Sequence, residues 1–421
     1  MPAPLAGRVI TLGVTSGIAC YRAVDLLRDL QRAGARVRVV LTHSAAELVR
    51  PALFEALSGE RVGTTLWEGW PTEDPAHEAG AYSRYPHLDF ARGIDALLVA
   101  PATANLLAKA AHGLADDLLS TTLLAVDPRT VPVVFVPSMN ATMYDHPAVV
   151  ANRALLRQRG CVVLTPDEGP LACGEFGPGR WPGNVTVLAV LDRMLNGRSR
   201  LAGRRVVVTA GRTEVDIDPA RTLSNRSSGR MGFALARAAA REGAEVTLIH
   251  GPSAEPVPPF VTAVAVRTPD ELGAAVRAAL PGAAQLWMAA AVSDWRPVDV
   301  ADLKRKKGEW DGVLRLEPTE DILARAAVER EDGTTLVGFA VETDDVACRA
   351  AAKLAAKGCD FLVVNNPLEP GAGFGHATNR ALVLGRDGSR RDFPLKSKDA
   401  LATALLDYVL ESAGISVGAG R

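Results

Sequence analysis

The chain has 421 residues, 48% of them hydrophobic, and its 47 Lys and Arg nearly cancel its 48 Asp and Glu. That length buries more than one core, and ordinary domain sizes give about two or three domains. The near-zero net charge excludes a global field steering the molecule to nucleic acid or an anionic membrane, so any anion it binds is held locally. The start "MPAPLAGRVITLGVTSG" has no uninterrupted apolar core behind a basic segment, and no uncharged run is apolar enough to span a bilayer, so the expectation is a cytoplasmic protein. Cys20, Cys161, Cys173, Cys348 and Cys359 are too scattered for a disulfide framework, and no CxxC pair suggests zinc. Basic charge is carried by Arg: there are eight Lys in the chain, and three of them sit in "KRKK" at 304–307.

In chain order, "GRVITLGVTSG" from Gly7 predicts a first strand and its turn, "IACYRAVDLLRDLQRAG" a helix and "ARVRVVLT" a second strand. "DALLVAP" (95–101), "VPVVFVP" (131–137) and "CVVLT" (161–165) predict further strands, separated by helical segments such as "TANLLAKAAHG" and "HPAVVANRALLRQRG". "GRRVVVTAGR" from Gly203 restarts the design, with strands at "EVTLIHG", "QLWMAAA", "TLVGFA" and "DFLVVNN" and helices at "GFALARAAAREG" and "DVACRAAAKLAAKG". The polar, glycine-flanked "NGRSRLAG" (196–203) marks the boundary. The expected class is α/β: two Rossmann-like three-layer domains with mostly parallel sheets, over 1–196 and 203–421. In such sheets ligands gather where strand C-termini meet helix N-termini.

In the first half, "GVTSGIA" (13–19) follows strand one, and Thr15, Ser16 and Gly17 would offer hydroxyls and amides to one phosphate. Read alone, the same residues also make an ordinary capped strand-to-helix turn. The motif is not GxGxxG, and "LTHSA" after strand two has no acid for a ribose hydroxyl, which argues against a dinucleotide. "VAPATANLLAK" (99–109) and "VPSMNATMYDHP" (136–147) are each ordinary loop sequences. Combined with "ADDLLSTTLLA" (115–125) and "PLACGEFGPGR" (170–180), they resemble the flavin-dependent cysteine decarboxylase family, specifically its phosphopantothenoylcysteine decarboxylases.

That resemblance implies a flavodoxin-like fold with bound FMN, contacted by Thr15, Ser16, Gly17, Ser44, Pro101, Ala102, Thr103, Asn105 and Met139. The flavin serves as the electron sink that a cysteine carbanion otherwise lacks. By similarity His87 in "PHLDFA" is the base of the oxidative half, Asn140 in "PSMN" holds the substrate carboxylate, and Cys173 in "LACGE" returns a proton to carbon. Taken alone, a single His among aromatics is more often a packing residue, and a lone Cys a small hydrophobe. The chain departs from the pattern at "SGIACYR", at "PSMN" for "PAMN", at "GRWPGN" where Met commonly follows Arg, and in a long segment before His87.

In the second half, Gly229–Gly232 opens a helix, and Arg221, Arg226 and Arg230 could converge on an anion; read alone, the Ser-rich loop is a helix cap. As a whole, "AGRTEVDIDPARTLSNRSSGRMG" resembles the phosphopantothenate–cysteine ligases, as do "AAAVSDWRP" (289–297), "LKRKKG" (303–308), "VGFAVET" (337–343) and "GFGHATN" (373–379). The resemblance implies activation of 4'-phosphopantothenate by CTP as an acyl-cytidylate, which cysteine then opens. Arg221 and Asn225 match residues tied to that intermediate, and Lys304 would neutralise the activated phosphate. Met288, Ala289, Ala290, Asp294, Glu320, Asp321, Ile322, Leu323, Phe339, Lys353 and Lys357 would meet CTP, with Phe339 on the cytosine and Mg2+ at Asp294. Glu320 stands in "TEDI" where the family has "NPDI". Lys353 and Lys357, four apart, repel slightly unless an anion lies between them.

The expected partners are thus small molecules (4'-phosphopantothenate, cysteine and CTP) rather than nucleic acid or membrane. The family's trimeric flavin domains and dimeric ligase domains imply a homo-oligomer. Two rivals fit less well. A nicotinamide-dependent reductase lacks its GxGxxG and has His250 where an acid belongs, and a non-catalytic flavin-binding module leaves the second half unexplained.

Overall fold

A computed structural model describes residues 3–67, 85–306, 310, 312–343, 346–373 and 375–414; the segment before His87 and Lys307 lie outside them. The chain divides into two compact units, Pro2–Asn196 and Gly197–Arg421.

In the first unit, β1 (Val9–Val14), β2 (Arg36–Leu41), β3 (Ala96–Ala102), β4 (Val133–Pro137) and β5 (Val162–Val163) form a parallel sheet in the order β2-β1-β3-β4-β5. Successive side chains point to opposite faces, so each strand feeds two cores. Ile10, Leu12, Leu98 and Val136 pack on one face with Leu26, Leu27 and Leu30 of the helix Arg22–Arg32. Leu97, Val99 and Phe135 pack on the other with Leu106 and Leu107 of the helix Ala104–His112 and Leu156 of Pro147–Gln158. Strands buried on both faces read as continuous apolar runs, which is why these were legible. An antiparallel hairpin, β6 (Asp167–Pro170) with β7 (Phe176–Arg180), follows the sheet.

In the second unit, β8 (Arg205–Ala210) is followed by a hairpin of β9 (Glu214–Asp218) and β10 (Arg221–Ser224), then β11 (Glu245–His250), β12 (Val261–Ala265) and β13 (Gln285–Met288). A short pair, β14 (Trp295–Pro297) with β15 (Leu316–Pro318), precedes β16 (Thr335–Val341), β17 (Phe361–Asn365), β18 (Thr378–Gly385) and β19 (Arg390–Ser397). The large sheet runs β12-β11-β8-β13-β16-β17-β18-β19. It is parallel from β12 to β17, and its last two strands are antiparallel. Trp287, Phe233 and Leu406 anchor the core on one face, and Leu286, Leu272 and Leu362 the core on the other. The β18–β19 extension and the helix Lys398–Ser412 behind it are additions to the expected elements. Only Phe393 of β19 is buried, so this edge strand carries no apolar alternation to read. No helix among the described residues is long and apolar enough to cross a membrane.

Candidate active sites

In the first unit the strand order reverses between β1 and β3, so the crevice lies beyond their C-terminal ends. The loops expected there do flank it, but with altered roles. Thr15 is 1% exposed; its Oγ1 donates to the Pro101 carbonyl at 2.8 Å and accepts from the Thr103 amide at 3.1 Å. The hydroxyl expected to meet a phosphate therefore splices β1 to β3. Pro101 and Ala102 are also buried and shape the crevice through their backbone. Ser16 is exposed, and Gly17 heads the turn Ile18–Tyr21, which has no side-chain cap, so its first amides lack a side-chain acceptor. Thr42 and Thr103 cap the helices His43–Leu48 and Ala104–His112, leaving Ser44 and Asn105 exposed in their first turns.

The β6–β7 hairpin is seated on the loop after β4. Gly179 has φ 129°, and a Cβ there would stand 2.0 Å from the Met139 carbonyl oxygen. Only glycine permits that approach. The Gly179 carbonyl accepts from the Met139 amide at 3.0 Å and from the Ser138 hydroxyl at 3.2 Å. Half-buried Met139 is thus fixed from the hairpin side. The same seating brings the hairpin's turn to Asn140. Asn140 Oδ1 caps the helix Ala141–Asp145, accepting from the Thr142 amide at 2.8 Å and the Met143 amide at 3.4 Å. With that oxygen occupied, Nδ2 faces the hairpin, donating to Cys173 Sγ at 3.4 Å and to Glu175 Oε2 at 2.5 Å.

Sequence reasoning named Asn140 and Cys173 in separate roles but passed over Glu175, whose signal is an acid two residues from the thiol on a tight turn. Cys173 is exposed, whereas burial pushes the thiols of Cys20, Cys161 and Cys359 up and keeps them protonated. His87 is half-buried on the helix Pro86–Ala91, edge-on to Tyr85 at 6.3 Å between ring centres; it is not part of the Asn140–Cys173–Glu175 contacts.

In the second unit the order reverses at β8, between β11 and β13. Three loops meet there around the buried Thr213 and Ser293. Thr213 Oγ1 accepts from the Ser293 amide at 2.8 Å, the Thr213 carbonyl accepts from Ser224 Oγ at 2.8 Å, and the Ser293 carbonyl accepts from Thr319 Oγ1 at 2.6 Å. Asn225 joins this network: its Nδ2 donates to the carbonyls of Val292 at 2.9 Å and Ala291 at 3.2 Å. Gly229, with φ 83°, caps the helix Arg230–Arg241 at the same place, and a Cβ there would lie 3.1 Å from the Gly211 amide. Met288 is buried, Ala289 and Ala290 are half-buried, and the Ala290 amide donates to Thr209 Oγ1 at 3.1 Å.

Several charges expected to face an anion are held by protein carboxylates. Arg221 donates to Asp218 and Arg230 to Glu255, so these two arginines do not converge. Glu320 accepts from Arg325 at 2.8 Å and Arg277 at 3.1 Å. Asp321 caps the helix Ile322–Glu329 and pairs with Lys357 at 2.5 Å; Lys353 pairs with buried Glu342. The repulsion expected between the two lysines is thus already offset. Ile322 is buried, and Leu323 and Phe339 are half-buried at the ends of their elements. Lys304 and Asp294 are exposed, and no cluster of three or more His, Cys, Asp or Glu among the described residues could hold a metal.

The same division recurs in comparisons with known proteins. Residues 2–196 match the family described as Flavoprotein, and residues 201–412 the DNA/pantothenate metabolism flavoprotein C-terminal domain. The chain is 41% identical over 408 residues to the coenzyme A biosynthesis bifunctional protein CoaBC of Bacillus subtilis (strain 168), covering 96% of this chain and 97% of that protein. It is 43% identical over 416 residues to the protein of the same name from Mycobacterium tuberculosis (strain ATCC 25618 / H37Rv), covering 95% and 96%. A crystal structure of the C-terminal domain of a CoaBC protein aligns with 52% of this chain and 100% of its own at 32% identity and a TM-score of 0.45. Because the curated relatives align over nearly their whole length, and both halves match their family descriptions, the chain belongs to the bifunctional CoaBC family of coenzyme A biosynthesis.

Proposed function

We propose that the chain carries two consecutive activities. The ligase half, over 203–421, joins 4'-phosphopantothenate to cysteine at the expense of CTP. The flavin half, over 1–196, decarboxylates the product to 4'-phosphopantetheine. The reading is supported most directly by a full-length match to bifunctional relatives that coincides with two compact units.

In the ligase half, the phosphopantothenate carboxylate attacks the α-phosphate of CTP and pyrophosphate leaves; the amine of cysteine then displaces CMP from the acyl-cytidylate. Lys304 opposes the charge on the phosphate, and Asn225, whose Nδ2 donates to two backbone carbonyls, acts in the turnover of the acyl-cytidylate by cysteine. Phe339 packs on the base, while Lys353 and Lys357 exchange their carboxylates for phosphate oxygens. Mg2+ would arrive with the triphosphate and meet Asp294, a hard ion kept by one carboxylate and substrate oxygens.

In the flavin half, the residues present fit FMN. Open amides at Gly17, exposed Ser16 and Ser44 hydroxyls and the Asn105 amide at the switch-point crevice offer neutral donors to a phosphate and a planar ring system. When bound, that group supplies a reversible two-electron sink. His87 takes the proton released in the oxidative half at an imidazole nitrogen. Asn140 Nδ2 gives up its hydrogen bond to Glu175 to hold the departing carboxylate, and Cys173 Sγ returns a proton to carbon. The homo-oligomer expected for the family, with trimeric flavin domains and dimeric ligase domains, belongs to this reading.

Acid treatment of the purified protein should release FMN, and pyrophosphate should form with CTP plus phosphopantothenate. A flavin-free protein would refute the first half of the reading, and activation by ATP alone would refute the second.

A further inference from the structure

Asp218 ends β9, and its side chain is 0% exposed. A carboxylate so enclosed is costly unless every lone pair is used. Oδ1 accepts from the Ala220 amide at 2.9 Å. Oδ2 accepts from Arg221 Nε at 2.9 Å and Nη2 at 2.5 Å, and from the Arg305 amide at 3.2 Å. Arg221 Nη2 also donates to the Arg305 carbonyl at 2.6 Å. The backbone of Arg305 is therefore gripped on both sides of its Cα, its N–H by Asp218 and its C=O by Arg221. The guanidinium carbons of Arg221 and Arg305 lie 5.2 and 5.3 Å from the centre of the Trp310 ring, which adds cation–π contact to the same clamp.

What this clamp holds is the lysine-rich run. Lys304 precedes the gripped residue and Lys306 follows it, and both are exposed. Asp218 cannot meet a substrate itself, since it is shut off from solvent, yet it ties the β9–β10 hairpin to a residue 87 positions away. We propose that Asp218 is a positioning residue of the ligase half: with Arg221 it pins the backbone of the basic run so that Lys304 is presented to the nucleotide in one place. The proposal rests on the role given to Lys304 above. A flexible ammonium serves an activated phosphate only if its stem starts from a fixed point, and a displacement of about 1 Å costs on the order of 100-fold in rate.

The test is a double-mutant cycle in the full-length protein, read as CTP-dependent pyrophosphate release, with thermal unfolding of the ligase half as the control for folding. Lys304→Ala should lose roughly 100-fold, Asp218→Asn about tenfold or more, and the pair no more than Lys304→Ala alone, because residues acting through one another are not additive. Multiplying losses would overturn the proposal. Full activity in Lys304→Ala would instead overturn the role of Lys304, and the purpose of the clamp with it.

Should Asp218→Asn fail to fold, hydrogen exchange on the wild-type protein decides. The Arg305 amide should be protected while the neighbouring amides of the run exchange freely, and exchange of Arg305 at the rate of an open peptide would overturn the clamp. In a folded Asp218→Asn protein, trypsin should cut at 304–306 several-fold faster than in wild type.

Discussion

The two units solve the same problem of holding reactive groups at the ends of parallel strands, but by different means. In the first, precision comes from the backbone: Gly179 seats a hairpin against the Met139 carbonyl, and an exposed thiol, an amide and a carboxylate then meet on one side of it. In the second, it comes from buried polar groups: Thr213, Ser293 and Asp218 bind the loops together, and Arg221, Arg230, Lys353 and Lys357 are paired with carboxylates. A site built on backbone contact tolerates exposed side chains because the frame beneath them is rigid. A site built from long, charged side chains needs partners, since a free Lys or Arg has many rotamers and a substantial ordering entropy.

The comparison makes unequal predictions. Cys173→Ser should have the largest effect, lowering the yield of phosphopantetheine by about 10²–10⁴-fold, the usual worth of a general acid, while carbon dioxide still leaves. Normal yield, followed by mass spectrometry of the product, would remove the thiol from the account. Asn225→Ala should reduce ligation by roughly 100-fold, the order of loss when a group at the reacting centre is misplaced, with CTP binding by calorimetry unchanged. A loss confined to CTP affinity would move Asn225 from the acyl group to the nucleotide. Gly179→Ala should destabilise the hairpin by about 1–3 kcal/mol, seen as faster hydrogen exchange over 167–180 with the ligase half untouched. Unchanged exchange there would break the claim that backbone contact frames the first site.

The smallest effect concerns pH. The Arg221 guanidinium, with the Ala220 and Arg305 amides, pulls the Asp218 carboxyl down to about 2. An acid depressed in the folded state stabilises above its unfolded value and loses that contribution as pH falls. The second unit should therefore weaken between about pH 4 and pH 2, and Asp218→Asn should flatten that limb of the acid-unfolding curve. An identical limb in both proteins would mean that the ion pair carries no linkage.

Much of the frame was legible in sequence, and for a physical reason. Parallel strands covered on both faces are continuous apolar runs ended by small residues, as in "RVVVTA" and "ALLVAPA", and the helices between them keep a 3.6-residue stripe. The hairpin at 167–180 was not, because "DEGP" and "FGPGR" run against strand propensity and are held by contacts with the loop at 138–141. The site residues divided in the same way. Asn140 and Cys173 were legible as motif residues, and the structure brings them together. Thr15 looked like a phosphate ligand because its neighbours are small and hydroxylic, but it is spent on β3, and nothing local in the sequence announces that. The partners of Lys353 and Lys357 were equally hidden, since ion pairs across the fold leave no local pattern.

The central claim, that one chain carries two consecutive activities, is tested most directly by supplying 4'-phosphopantothenate, cysteine and CTP to the purified full-length protein and following the products over time. The account predicts pyrophosphate, CMP, carbon dioxide and 4'-phosphopantetheine, with phosphopantothenoylcysteine rising and then falling. Accumulation of phosphopantothenoylcysteine without carbon dioxide, in protein loaded with FMN, or no pyrophosphate at all, would contradict it.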